Sequence, residues 1–303
     1  MKREIQSKKE AWLHAVRLRT LPLSLASIFA GSFLAYSLQV FRWEILLFAS
    51  LTTIFLQILS NLANDYGDTV NGADHHERQG PVRAVQSGLI SLSEMKNGMY
   101  LFGVLSLISG LLLLYLAVQD WTLFFIFFGL GIASIWAAIS YTSGSNPYGY
   151  LGLGDISVFL FFGIIGVIGT FFLHSTDFNP SVIWVGLSLG FFSTTVLNIN
   201  NIRDIESDKT AGKKSIPVRI GKEAAIRYNW FLILAGYVSL LGFCFFSQNW
   251  GAALGFMVFP LMIKIGMNVQ KGKSSDEIDP NLKKMALSTL LWVVLFGIGL
   301  LFL

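Results

Sequence analysis

Charge is what this chain has least of. Of its 303 residues only 13% are Asp, Glu, Lys or Arg, against 53% hydrophobic, whereas a soluble domain carries about a quarter charged residues. A water-soluble globule is therefore excluded. Cysteine is nearly absent as well: Cys244 is the sole thiol, so no disulfide can form within the chain, and a lone thiol in an apolar run reads as packing. Neither a GxxxxGK[ST] loop nor a strand-to-helix GxGxxG turn occurs, so nucleotide use is not indicated. The net charge of +4 is small, and its placement speaks for topology, not for a nucleic-acid partner.

What is present is apolar length. Runs long enough to cross a bilayer, about 17 to 25 residues, lie near 20–38, 43–64, 97–117, 121–142, 155–173, 181–202, 224–246, 250–269 and 284–303. These predict an all-α, polytopic integral membrane protein with nine transmembrane helices, a single domain over 1–303. The segment KKEAWLHAVRLR mixes charge with Trp12, Leu13, Val16 and Leu18, so residues 1–19 read as a short interfacial stretch leading into an uncleaved first span. With the N-terminus inside, Arg42 is the only one of 22 Lys and Arg to fall on the outer side. By the positive-inside rule the orientation follows.

Two polar stretches then stand out, NLANDYGDTVNGAD at 61–74 and NINNIRDIESDKTAG at 198–212. Each ends a predicted span on the inner side, where unpaired charge is expensive and ionisable residues mark function. Asp65 and Asp68 are three apart, Asp204 and Asp208 four apart, so on a helix each pair shares a face. Like charges that close call for a cation, and Mg²⁺ is commonly held by one or two carboxylates plus water and substrate phosphates. Asn61, Asn64, Asn200 and Asn201 add amides that can bond phosphate oxygens or orient the acids. The bland alternative, solvated loop acids balancing nearby bases, suits one pair better than two in the same context.

Other features are weaker. The connection from Gly72 to Lys96 is long and basic, which suits a cap over an acidic site. Pro-Val-Arg occurs at 81–83 and 217–219, each time after paired aspartates, a hint of duplicated halves four spans apart. Among the bases near the acids, Arg83 and Lys209 rank first as diphosphate contacts, with Arg78, Arg203, Lys213 and Lys214 behind them. His75 and His76 lack a third soft ligand and read as solvated. The stretch YTSGSNPYGYLGLGD at 141–155 reads either as a tight helix–helix turn with interfacial tyrosines or as a ligand-facing loop. It ends in Asp155, an acid at a span start.

At these residues the sequence resembles the membrane-embedded aromatic prenyltransferases of the UbiA superfamily, and within them the 1,4-dihydroxy-2-naphthoate polyprenyltransferases of menaquinone synthesis. LRTLPLS at 18–24, QILSNLANDYGD at 57–68, GPVRAVQSG at 80–88, NPYGYLGLGDISVFLFFG at 146–163, LNINNIRDIESDKTAGKKSIPVRIG at 197–221 and Arg227-Tyr228 carry the likeness. The resemblance implies nine helices around a central cavity, Mg²⁺ as cofactor, and Asn64, Asp65, Asp68, Asp204 and Asp208 binding metal and prenyl diphosphate. Gly72 departs from the broad superfamily pattern, with Asp74 two residues later. The 141–155 connection lacks a lysine found in some relatives, which would leave phosphate contact there to Tyr141, Asn146 or backbone groups. The implied reaction joins a polyprenyl diphosphate to 1,4-dihydroxy-2-naphthoate, giving demethylmenaquinone in a bacterial cytoplasmic membrane. In it Asp65 and Asp204 serve catalysis through the metal; Asp155, an acid at a span start beside a Gly- and Tyr-rich loop, is expected from its position to orient or deprotonate a ring hydroxyl. Another aromatic acceptor, such as 4-hydroxybenzoate or homogentisate, is an alternative. A transporter is a further one, though its charges belong near the bilayer midplane.

Overall fold

The computed structural model describes residues 7–71 and 84–302. Among them the chain is helical throughout, with no strand. A short helix α1 (Lys8–Val16) precedes α2 (Leu21–Ser37), α3 (Trp43–Val70), α4 (Leu92–Ala117) and α5 (Trp121–Ser140). Then come α6 (Gly154–Ser175), α7 (Val182–Arg203), the short α8 (Ile205–Thr210) and α9 (Ile216–Ile220), α10 (Lys222–Ser247), α11 (Trp250–Lys271) and α12 (Ser275–Phe302). Among the described residues nine helical segments are long and apolar enough to span a membrane, α1 and α2 counting together as the first. The protein is an integral membrane protein.

The helix ends follow from local chemistry. Ser7 caps α1 by accepting from the Glu10 amide, and Asp120 caps α5 by accepting from the Leu123 amide. Ser91 and Glu94 form a reciprocal capping box that starts α4 at Leu92, five residues before the predicted span at 97. Likewise α3 runs to Val70 rather than 64, and α12 begins at Ser275 rather than 284. In each case the helix outlasts its apolar stretch.

The expected interfacial segment is more embedded than its sequence suggested. Arg17 takes a left-handed conformation (φ 50°) that turns the chain between α1 and α2. Ala11 and Ala15 are buried in one cluster with Leu59 and Leu62 of α3, and Lys8 pairs with Glu94 of α4.

Two packed halves flank a central space. Helix α3 packs along α4 and α7 along α10, the corresponding pairs if the halves repeat four spans apart, while α6 against α7 and α11 against α12 are packed at least as extensively as α7 against α10. Between them α6 is wound as a π-helix over Phe159–Gly169. The core is densest around α7, α10, α11 and α12, where Phe192, Tyr237, Trp292 and Phe296 stack. At the other extreme α5 buries only Ala137, because its inward face lines a cavity. Outward faces present Leu101, Phe125 and Val238 to lipid. Trp43, Tyr115 and Trp121 are exposed together at the end remote from the aspartates, an aromatic belt of the kind that marks a membrane–water boundary.

Close helix approach here depends on small residues. A Cβ on Gly299 of α12 would stand 1.9 Å from the Gly251 carbonyl oxygen, whereas one on Gly103 of α4 would meet nothing within 4 Å. Gly299→Ala is accordingly expected to destabilise the protein by about 1–3 kcal/mol through overpacking. Gly103→Ala should be neutral or stabilise by up to about 1 kcal/mol through helix propensity. Thermal unfolding of both variants in one detergent checks the contrast.

Candidate active site

The inner end of α3 delivers the first acidic motif. Asp65 and Asp68 are both buried. Asp65 accepts hydrogen bonds from the backbone amides of Ala84 (3.0 Å) and Val85 (3.4 Å), which fastens the chain that follows the 72–83 connection. Gly67 between them allows the motif to seat against the chain after α5, since a Cβ there would lie 2.4 Å from the Thr142 carbonyl oxygen. Thr142 in turn donates to Asn64 Oδ1 (2.9 Å) and to the Ala63 carbonyl (3.0 Å). One turn earlier, Asn61 donates to the Val16 carbonyl (2.9 Å) and to Thr20 Oγ1 (3.0 Å), so its amide tethers the α1–α2 junction.

The inner end of α7 delivers the second. Arg203, the last residue of α7, is buried and clamps Asp204 with two bonds, Nε to Oδ1 at 2.7 Å and Nη2 to Oδ2 at 2.6 Å. Its remaining donors reach Asn200 Oδ1 (2.9 Å) and Asp279 of α12 (2.5 Å). Asp204 ends α7 with φ −100° and ψ 11°, and α8 restarts at once, carrying Asp208. Ser215 Oγ donates to Asp208 Oδ2 at 3.3 Å.

Lys213 joins the two motifs. Its Nζ lies 3.3 Å from Asp68 Oδ1 and 3.7 Å from Asp208 Oδ1, and it stands over the Tyr150 ring at 4.9 Å from the centroid. The Tyr150 hydroxyl donates to Asp68 Oδ1 at 2.9 Å. Asp65 and Asp68 lie near the C-terminus of α3 and Asp204 at that of α7, where the helix dipole favours a cation.

These residues line a polar cavity of about 600 Å³ that includes Asp65, Asp68, Asp155, Asp204 and Asp208. An apolar cavity of about 420 Å³ adjoins it, walled by α3, α4, α5 and α6. Asn64, Tyr141, Val158, Phe162 and Leu197 border both, so they form a waist. Burial pushes the Tyr141 hydroxyl well above the usual phenol range, so at the waist it stays neutral. Asp155, at the start of α6, is buried with Tyr228 beside it, and its Oδ2 lacks a hydrogen-bond partner. An orphaned, buried carboxylate oxygen on a cavity wall is a receptor for a hydroxyl donor.

The pattern of the UbiA prenyltransferase family matches residues 24–290. The chain belongs to that family. It is 42% identical over 303 residues to the 1,4-dihydroxy-2-naphthoate octaprenyltransferase of Haemophilus influenzae, covering 99% of this chain and 98% of that one. It is also 42% identical over 296 residues to the Escherichia coli enzyme of the same name, at 97% and 96% coverage. A UbiA homolog from Archaeoglobus fulgidus, solved with GPP and Mg²⁺, superposes with a TM-score of 0.58 at 16% identity, covering 97% of this chain and all of that one; the likeness shows a shared fold.

The donor set suits the metal that family implies. All candidate ligands are hard oxygens, which favour Mg²⁺ over softer metals. Among the described residues no three acidic, imidazole or thiol side chains converge on one point. That is compatible with Mg²⁺ held by one or two carboxylates and completed by water and diphosphate.

Of the residues singled out from sequence, Asn61, Asn64, Asp65, Asp68, Tyr141, Asp155, Asn200, Asn201, Asp204 and Asp208 line the polar cavity. Asn146 and Lys209 do not: both are exposed and away from its lining. Lys209 continues α8 outward, while the chain bends back so that the Lys213 amide bonds the Asp208 carbonyl (2.8 Å). Of the two, Lys213 lines the cavity and Lys209 does not. Arg83, with Asp74, His75, His76, Arg78 and the first Pro-Val-Arg, lies outside the described residues. The 141–155 connection is a turn that also puts Tyr141, Tyr150 and Asp155 on the wall of the polar cavity. Tyr150 and Tyr228 were not picked out as partners of the acids, because nothing in sequence distance pairs them with Asp68 and Asp155.

Burial also pushes the Asp208 carboxyl up to about 6, against the pull of the Lys213 ammonium. The folded protein thus holds this proton more tightly than the unfolded chain, so the group costs stability as pH rises through about 6 and costs none below about 4. In EDTA, Asp208→Asn is expected to stabilise the protein at pH 8 by up to about 2 kcal/mol and to change nothing at pH 4. Melting curves at both pH values check this; a destabilised variant at pH 8 would mean that the Lys213 contact outweighs burial.

Proposed function

We propose that this chain transfers a polyprenyl group from polyprenyl diphosphate to 1,4-dihydroxy-2-naphthoate, with loss of CO2 and diphosphate, on the route to demethylmenaquinone. The observation that carries the reading is a polar chamber holding two aspartate motifs, joined through a waist to an apolar one, in a chain 42% identical over nearly full length to enzymes named for that reaction. The names of those relatives point to an octaprenyl donor. Residence in a bacterial cytoplasmic membrane with the polar mouth inward is supported by the Lys and Arg bias.

Asp65, Asp68, Asp204 and Asp208 would hold Mg²⁺ together with the diphosphate. Bound there, Mg²⁺ supplies positive charge that stabilises the leaving group as the allylic C–O bond breaks. Asn64, Asn200 and Asn201 direct amides toward the same chamber. The tail lies across the waist in the apolar cavity, which keeps water from the allylic cation. Asp155 Oδ2 accepts the proton of a ring hydroxyl, and the electron pair released drives the carboxylated carbon onto the cation. Loss of CO2 returns a pair to that oxygen, and Asp155 hands its proton back.

Purified protein given 1,4-dihydroxy-2-naphthoate, octaprenyl diphosphate and Mg²⁺ should yield the prenylated, decarboxylated ring. EDTA, Asp65→Asn or Asp204→Asn should each cut the rate by about 100-fold or more. Diphosphate release without that product would move the acceptor to 4-hydroxybenzoate or another aromatic, and no diphosphate chemistry at all would favour transport.

Asp155→Asn should lower kcat by about 100-fold or more while leaving Mg²⁺ and diphosphate binding intact. Near-normal turnover with an unchanged pH profile would rule out its proton-transfer role.

A further inference from the structure

The acidic site carries a counter-charge of its own, on a residue that reaches both motifs. The Lys213 ammonium contacts Asp68 of the first motif and Asp208 of the second, and both carboxylates are largely withdrawn from water, with side-chain exposures of 4% and 12%. The backbone on either side is pinned, through Lys213 N to the Asp208 carbonyl and Lys214 N to the Tyr150 carbonyl, each 2.8 Å. Only the flexible four-carbon stem is left to move. Beneath it the Tyr150 ring, held by its hydroxyl's bond to Asp68, offers the ammonium a second, uncharged contact, so the charge can pivot without losing all support.

We propose that Lys213 is the resident counter-ion of the site and makes divalent-cation binding conditional on diphosphate. The inference deepens the prenyltransferase reading and rests on it for the identity of the ligand pair. A divalent cation arriving alone must take Asp68 and Asp208 from Lys213, whose side chain, only 21% exposed, is then left beside a second positive charge. A cation arriving with diphosphate brings the oxygens that the displaced ammonium needs. Lys213 therefore opposes the first event and favours the second. That is positive coupling between metal and diphosphate, and by thermodynamic linkage each tightens the other by the same factor. A site so wired does not fill with metal until the donor substrate is present.

The test needs no aromatic acceptor, so its outcome is independent of the acceptor assignment. Mn²⁺ binding to purified protein is followed by electron paramagnetic resonance, with and without inorganic pyrophosphate. Wild type should bind Mn²⁺ weakly alone and much more tightly with pyrophosphate. Lys213→Met should bind Mn²⁺ alone about tenfold more tightly and lose about tenfold of the gain from pyrophosphate; Lys213→Arg should restore the wild-type pattern. Unchanged or weaker Mn²⁺ binding by Lys213→Met would overturn the proposal. If that variant fails to fold, the wild type alone decides: tight Mn²⁺ binding without pyrophosphate, unaffected by its addition, excludes the coupling. Absence of any Mn²⁺ or pyrophosphate binding in the wild type would instead count against the prenyltransferase reading itself.

Discussion

Carboxylates gathered at the edge of a bilayer cannot be left to water, and this architecture is arranged around neutralising them. Each of the four acids has its own answer. Backbone amides of Ala84 and Val85 serve Asp65, the Tyr150 hydroxyl and Lys213 serve Asp68, Arg203 clamps Asp204, and Lys213 with Ser215 serves Asp208. These partners come from segments far apart in sequence. The neutralisation is therefore also the tertiary glue of the inner end: it draws the 84–88 turn, the loop after α5, the α8–α9 turn and the start of α12 around one chamber. Arg203 shows this most directly, since a single guanidinium ties the second motif to Asp279 of the last helix.

The membrane supplies the opposite constraint over the rest of the length. With lipid as apolar as any Leu, helices gain little by burying such residues and must pack by shape and by polar contact. The chain uses both. Ser188 donates to the Gly236 carbonyl at 2.9 Å, and Asn198 donates to Asn229 and to the Ala225 carbonyl, so α7 and α10 are stitched at two levels. At the far end His174 accepts from the Arg42 amide at 3.1 Å and contacts Ser32 at 3.0 Å, fixing the turn between α2 and α3. On the α5 side contacts thin out, and that is where the apolar chamber lies.

The spans were legible because lipid writes them as apolar length, and all nine were placed to within a few residues of their cores. Their ends were less so, since α3 and α12 continue through polar sequence once tertiary partners satisfy it. The acids were legible because charge is rare at span ends. Their partners were not. Arg203 reads in sequence as one more inward-side base, yet it is buried against Asp204; Lys209 and Lys213 look equivalent, yet one backbone reversal between them sends the first to solvent and the second to the site. Sequence distance carries no record of such a turn, nor of Tyr228 arriving beside Asp155 from another helix.

The waist formed by Asn64, Tyr141, Val158, Phe162 and Leu197 sets an origin for the substrate. On the proposed reading, a diphosphate anchored at the acids would put the first isoprene unit at the waist, with the rest of the tail counted outward from there. Beyond the waist the chamber is walled mainly by apolar side chains, which meet a hydrocarbon tail by shape and offer few directional contacts to it. Such a protein reads its donor strictly at the head and loosely at the tail. On that reading, the length of the side chain transferred would be dictated less by this protein than by the prenyl diphosphate supplied to it.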